Sequence, residues 1–303
     1  MLIKLKSIWD KLPPNSKGII WALLSALFMS GMATLIKILG EDMSSFQIAW
    51  FRAFFGLIIL FPFVYKAGGL KVLKTKKLGM HFLRSSLGAL AMISGFYAVT
   101  VLPLTLITSI GFSRPLFMVP LAIIFLNEVV RARRWSATII GFLGVLIVIR
   151  PSEGIEMAVI IGLFSSFMVA MSMIVTKKMT SYESPLAMMF FQGVFGSIIT
   201  FIPCLYFWTS ISIKEFLLLF LLAFFGTISV NFMIRALKIS DATIVAPIEY
   251  VRIIFASIIG FYVFFEIPSI YTFLGSFVII CSTVYIAFRD SRLGKEKVIS
   301  DID

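Results

Sequence analysis

Residues 114–128 read RPLFMVPLAIIFLNE, and residues 252–266 read RIIFASIIGFYVFFE. Each stretch opens on an arginine, Arg114 or Arg252, runs through a helix length of mostly apolar residues, and closes on a glutamate, Glu128 or Glu266, 14 positions later. The two stretches are offset by 138, and at that offset Ala98 also meets Ala236 and Thr105 meets Thr243. At an offset of 140, Lys37 meets Lys177, Ser25 meets Ser165, Phe51 meets Phe191 and Gly56 meets Gly196. Self-similarity at a fixed period marks an internal duplication. Charged positions that repeat this way argue against chance likeness among apolar segments.

The composition says what is duplicated. The chain has 303 residues, 60% hydrophobic and 14% charged, with a mean hydropathy of +1.03. Soluble domains are about 45–50% apolar and about 25% charged, so this chain cannot cover itself with a polar surface. Ten apolar segments follow one another, at about 18–37, 46–65, 82–101, 104–126, 135–149, 157–176, 185–207, 216–234, 242–264 and 270–288. They are continuous runs rather than alternations, and a lipid-exposed backbone must satisfy its own polar groups, so helices are the spanning option. The halves are residues 18–150 and 157–290, five helices each, with a segment 1–17 before them and a tail 291–303 after them. Two copies of an odd unit cross the membrane in opposite senses. The expected fold is an all-α membrane protein of ten transmembrane helices, a 5+5 inverted-topology repeat around a central cavity.

Basic residues set the expected orientation. Of the cations outside the spans, 21 fall in one set of loops, from Lys4 through Arg84 to Lys297, and only Lys37, Arg150 and Lys214 in the other. The positive-inside rule then puts both termini in the cytoplasm of a bacterial inner membrane. The basic N-terminus before a long apolar run reads as an uncleaved anchor. The net charge of +12 is spread between apolar segments, so it points to the bilayer and not to nucleic acid. The loop 66–77 reads as an orientation signal against anionic lipid.

Catalytic and metal chemistry find little here. Cys204 and Cys281 both lie in apolar runs, and the single histidine, His81, reads as part of a basic loop. That leaves no metal set, no nucleophile with its base, and no phosphate-binding GxxxxGK[ST]. No cofactor is implied. The implied partners are a small-molecule substrate and the lipid bilayer, for a monomer or a homodimer. A channel-like or structural subunit is the competing class, marked by flux without saturation.

The run from Arg114 through Pro115 and Pro120 to Asn127-Glu128, the Gly141-Phe142-Leu143-Gly144 stretch after it, and the second copy from Pro247 through Arg252 to Glu266 and Gly275 resemble the EamA-type drug/metabolite transporters. The likeness covers nearly the whole chain. It implies ten helices around a cavity and transport by alternating access. With Gly111-Phe112-Ser113-Arg114-Pro115 and Ile248-Glu249-Tyr250-Val251-Arg252, the chain looks most like the S-adenosylmethionine uptake transporters of intracellular bacteria. That resemblance implies S-adenosylmethionine uptake, with exchange for S-adenosylhomocysteine. The alternative in the same superfamily is an amino-acid or drug exporter.

Candidate site residues come from the cost of burying charge. Arg52, Arg114, Glu249 and Arg252 fall inside spans, where each costs about 2.5–3.5 kcal/mol on insertion scales. Glu249 is the acid in mid-span, and its repeat mate is Gly111. It suits a cationic ligand or a coupling proton, or else an ion pair with Arg252 three residues on. Arg114 and Arg252 suit a substrate carboxylate, or else carbonyls freed at helix breaks. Trp21, Tyr97 and Tyr250 offer aromatic faces for a purine or a sulfonium. Glu128 and Glu266 read as gate or helix-cap residues at opposite faces. Arg52 and its mate Gln192, with Ser30, Ser113 and Asn231, are further polar candidates.

Overall fold

The structure is a computed structural model that describes residues 13–126, 132–150, 156–179, 181–239, 246–282 and 284–285. Among these residues it is all helical, with no strand. The helices are α1 (Pro14–Leu39), α2 (Ser45–Lys66), α3 (Leu78–Val101), α4 (Leu104–Gly111), α5 (Arg114–Leu126), α6 (Ala132–Ile149), α7 (Met157–Met179), α8 (Pro185–Tyr206), α9 (Ile213–Ile239), α10 (Arg252–Phe264) and α11 (Ile270–Ser282). A 3-10 turn, Ala246–Val251, leads into α10. By length and composition seven candidate spans stand among the described residues, with Leu104–Leu126 taken as one, and shorter apolar helices accompany them. Large apolar side chains such as Phe61, Ile124, Ile202 and Ile258 project outward. An exposed apolar belt of this extent belongs against lipid.

Caps explain where the helices begin. The Ser44 hydroxyl accepts the Gln47 N–H at 3.3 Å and the Ser184 hydroxyl accepts the Ala187 N–H at 3.1 Å. Each satisfies a donor that the first turn leaves open, for about 1 kcal/mol. The fourth expected segment is not one helix. Pro115 has no N–H for the Gly111 carbonyl, and its ring crowds that carbonyl, so the helix breaks at Phe112-Ser113. The Ile110 carbonyl freed by the break accepts the hydroxyls of Ser113 at 2.6 Å and Ser166 at 3.2 Å. The 3-10 turn before α10 lies against this break. The Tyr250 ring meets the Phe112 ring edge-on at 4.9 Å, and the Thr105 hydroxyl donates to Ser257 at 3.4 Å.

Packing rests on small residues. The Ser25 hydroxyl bonds the Ser229 carbonyl at 2.9 Å, joining α1 to α9, and the Ser165 hydroxyl bonds the Ala91 carbonyl at 2.7 Å, joining α7 to α3. The Gln192 amide lies over Gly88, and the Arg52 guanidinium lies over Gly226. The main apolar cluster gathers Ile36, Leu39, Ile48, Phe55, Leu219 and Leu222 from α1, α2 and α9. At the other side α6 and α11 touch backbone to backbone, since a methyl on Gly275 would stand 2.6 Å from the Gly144 carbonyl oxygen. Small residues let membrane helices approach this closely.

That approach can be checked. Gly275→Ala drives its new carbon into backbone that cannot yield, so it should destabilise the purified protein by about 1–3 kcal/mol, the usual cost of overpacking. Gly79→Ala adds its methyl in open space and should leave the melting temperature unchanged or raised. Equal melting temperatures for both variants would mean that α6 and α11 are not in contact.

Candidate functional site

A cavity of about 470 Å³ lies inside the bundle. It extends from Ile36 and Val99, near the C-terminal ends of α1 and α3, to Arg84 and Thr176 in α3 and α7. Ligand sites commonly occupy about 300–1,000 Å³, so it can hold a nucleoside-sized molecule. Much of the wall is apolar, with Met29, Met32, Met92, Met173 and Phe96. Thr108, Ser165 and Ser166 add hydroxyls.

Three guanidiniums reach the wall, and they differ in kind. Arg84 is occupied: its Nε donates to Thr176 Oγ1 at 2.8 Å, and its Nη1 donates to the Met188 carbonyl at 2.9 Å and to Gln192 Oε1 at 3.2 Å. It clamps α3 to α7 and α8. Arg114 and Arg252 are the first residues of α5 and α10, brought together by the helix break and the 3-10 turn. In each the Nε is buried without a hydrogen-bond partner. The Arg114 guanidinium folds back over Gly111, with Nη2 3.3 Å from where a Cβ would stand. Among the described residues, no acidic one lines the cavity. Glu249, on the 3-10 turn, is exposed and outside the wall, yet its charge acts on both Arg114 and Arg252.

The other candidates lie elsewhere. Tyr250 packs on Phe112; Trp21 packs on Phe232 at 5.0 Å with the Arg235 guanidinium 5.4 Å over its ring; and Tyr97 is exposed on the outer face. None of the three lines the cavity. The hydroxyls of Ser30 and Ser113 bond carbonyls of their own chain neighbourhood, and Asn231 accepts from Arg235. Glu128 lies outside the described residues. Placing Arg84 and His81 in a loop is corrected: α3 starts at Leu78, and both side chains lie within the bundle. His81 is buried, with Nε2 3.4 Å from a Glu183 carboxylate oxygen and its ring against Phe191. Arg84 and Phe96 were legible only from helix phase, because a cation three residues after a histidine in a basic stretch counts as loop until the cap is known.

Glu266 meets α1 at Lys37, one residue beyond the cavity-lining Ile36. Its carboxylate is bonded by the Lys37 ammonium and accepts the Leu104 N–H at 2.7 Å; Lys37 also donates to the Leu102 carbonyl at 2.7 Å. The pair is only 13–14% exposed. One carboxylate thus ties the end of α1, the α3–α4 corner and the end of α10. A carboxylate at the first N–H groups of α4 is also favoured by the helix dipole.

This chain matches the EamA-like transporter family twice, over residues 16–150 and again over 156–288. It belongs to that family. It is 33% identical over 290 residues to the S-adenosylmethionine uptake transporter of Rickettsia bellii, covering 95% of this chain and 99% of that one. It is 26% identical over 251 residues to the riboflavin transporter of Brucella anthropi, covering 80% and 88%. A crystal structure of 14% identity superposes with a TM-score of 0.62 over 92% of this chain and 99% of that one, a likeness of fold. The chain is a multi-pass membrane transporter and not an enzyme.

The Lys37–Glu266 tie generates a stability test. Neighbours in one ion-pair network couple by about 0.5–3 kcal/mol. In a thermal double-mutant cycle, Lys37→Ala and Glu266→Gln together should cost less than the sum of the two alone. Additive losses would show that the two residues stabilise the protein independently.

Proposed function

We propose that this chain takes up S-adenosylmethionine across the bacterial inner membrane by alternating access. The observation that carries the reading is the 33% identity to the Rickettsia bellii protein over 95% of the chain. We propose the 5+5 inverted repeat as its frame, with halves 18–150 and 157–290 and both termini cytoplasmic. Supporting it are the double family match and the duplicated contacts. Ser25 to the Ser229 carbonyl and Ser165 to the Ala91 carbonyl are such a pair, as are Arg52 over Gly226 and Gln192 over Gly88. The offsets of 138 and 140 relate the members of each pair.

In this reading the guanidiniums of Arg114 and Arg252, each with an Nε that lacks a hydrogen bond, take the ligand carboxylate, which they match bidentately. Phe96 and the methionines receive the apolar part. A 3-10 stretch within a span often marks a hinge, and the turn carrying Glu249 and Tyr250 moves during alternation to bring that carboxylate to the sulfonium. Trp21 and Tyr97 meet the ligand only in a state that turns them inward. The Lys37–Glu266 tie is the gate at the outer face, and the cavity is open toward the cytoplasm. With no nucleotide-binding motif in the sequence, the energy comes from a gradient or from exchange with S-adenosylhomocysteine. A second reading, export of an amino acid or drug, is favoured by one observation: among the described residues the cavity wall carries cations and no acid, which suits any carboxylate-bearing solute.

Labelled S-adenosylmethionine uptake by bacteria expressing the chain tests the proposal. Uptake should saturate, fall at least tenfold in Glu249→Gln at matched membrane abundance, and be blocked by excess S-adenosylhomocysteine. Retained uptake in the variant would reduce Glu249 to a structural acid. No uptake by correctly inserted protein would sink the substrate and leave the export reading.

A further inference from the structure

We infer that the cavity in this state selects its ligand by the charge on sulfur, holding a thioether amino acid more tightly than the matching sulfonium. The inference rests on the S-adenosylmethionine reading and deepens it. Its basis is the wall itself. Among the described residues Arg84, Arg114 and Arg252 reach the cavity, no carboxylate does, and the Nε atoms of Arg114 and Arg252 have no hydrogen-bond partner. The acid that acts on Arg114 and Arg252, Glu249, is exposed outside the wall.

The charges decide the preference. S-adenosylmethionine carries an ammonium, a carboxylate and a sulfonium. The thioether left after methyl transfer, S-adenosylhomocysteine, has the same groups without the sulfonium. Both can give their carboxylate to the two guanidiniums. Only the first must also place a fixed cation beside them. Two like unit charges about 8 Å apart at an effective dielectric of about 20 shift an equilibrium by roughly 30-fold. Glu249 offsets part of this from outside the wall. A discrimination of about tenfold or more remains. Methionine sulfurs and the Phe96 ring suit a neutral thioether in this wall.

This gives the cycle a direction. In the proposed frame the Lys37–Glu266 tie shuts the outer side, so the ligand leaves by the other side. A face that binds the sulfonium poorly releases the imported cation, and the same face then captures the neutral-sulfur product. A ligand shifts an equilibrium only by its differential affinity for the two states. The swing of Glu249 into and out of the wall supplies that difference for the sulfonium and much less of it for the thioether.

Inside-out membrane vesicles expose this face. Labelled S-adenosylhomocysteine would be bound to them and displaced by either unlabelled ligand. The thioether should displace at a concentration at least tenfold lower than the sulfonium. Arg252→Gln and Arg114→Gln should each bring that ratio toward one. Arg252→Lys keeps the charge and should keep the ratio, even where overall affinity falls. Equal displacement in the wild type, a sulfonium preference, or a ratio unchanged in both glutamine variants would overturn the inference. So would the absence of saturable binding in vesicles whose parent cells take up S-adenosylmethionine. Loss of that uptake in whole cells is the separate result that sinks the transport reading.

Discussion

Two guanidiniums whose Nε donors are buried without a hydrogen bond are the constraint on which the rest of the site depends. Arg114 and Arg252 sit deep in the bundle, and the Nε of each lacks a hydrogen bond. An arginine at mid-span costs about 2.5–3.5 kcal/mol on insertion scales, and a buried donor left unsatisfied adds about 1–3 kcal/mol. Arg84 shows that this fold can give a guanidinium three hydrogen bonds through Nε and Nη1 when its role is to join helices. All three reach the cavity, but Arg84 does so as a clamp between helices, whereas the Nε donors of Arg114 and Arg252 stay open beside a space large enough for a ligand.

The helix interruptions follow from the same need. A continuous helix would point the arginines along its side, among neighbouring side chains. Breaking at Phe112-Ser113, and starting α10 from a 3-10 turn, makes each arginine the first residue of a helix. Irregular backbone at membrane depth is tolerated where it is buried in protein or lines a cavity. Here the freed Ile110 carbonyl takes hydroxyls from Ser113 and Ser166, so the break leaves that acceptor satisfied. Gly111 completes the arrangement, since any side chain there would push on the Arg114 guanidinium.

Much of this architecture was legible in the sequence because its determinants are local or periodic. Apolar runs announce helices, Pro115 announces the break, and Arg114 and Arg252 stand out by their cost. The duplicated Arg-to-Glu spacing placed Glu266 at a helix end, where it binds Lys37 and the first N–H of α4. The cavity wall was less legible. Arg84 and His81 read as loop charges because the start of α3 depends on packing against α7 and α8, not on an apolar residue at each position. Which ring lines the cavity in this state was not legible, for a different reason. Trp21, Tyr97 and Tyr250 have the right chemistry for a purine or a sulfonium, but helix rotation decides which rings face inward, and Phe96 holds the position at the wall.

The asymmetry between Gly111 and Glu249 bears most directly on how such a carrier works. Equivalent positions in a duplicated chain drift apart when the two copies no longer do the same task. At the first position the backbone is bare, and the arginine lies on it. At the second a carboxylate stands on a 3-10 turn outside the wall, acting on both guanidiniums from there. A perfectly symmetric pair of halves would present the same electrostatics to a ligand from either side. In the proposed cycle, one acid on one moving turn removes that equivalence with a single charge. The proposed carboxylate-binding pair then stays common to every ligand, and the affinity for a second positive charge becomes a property of the conformation.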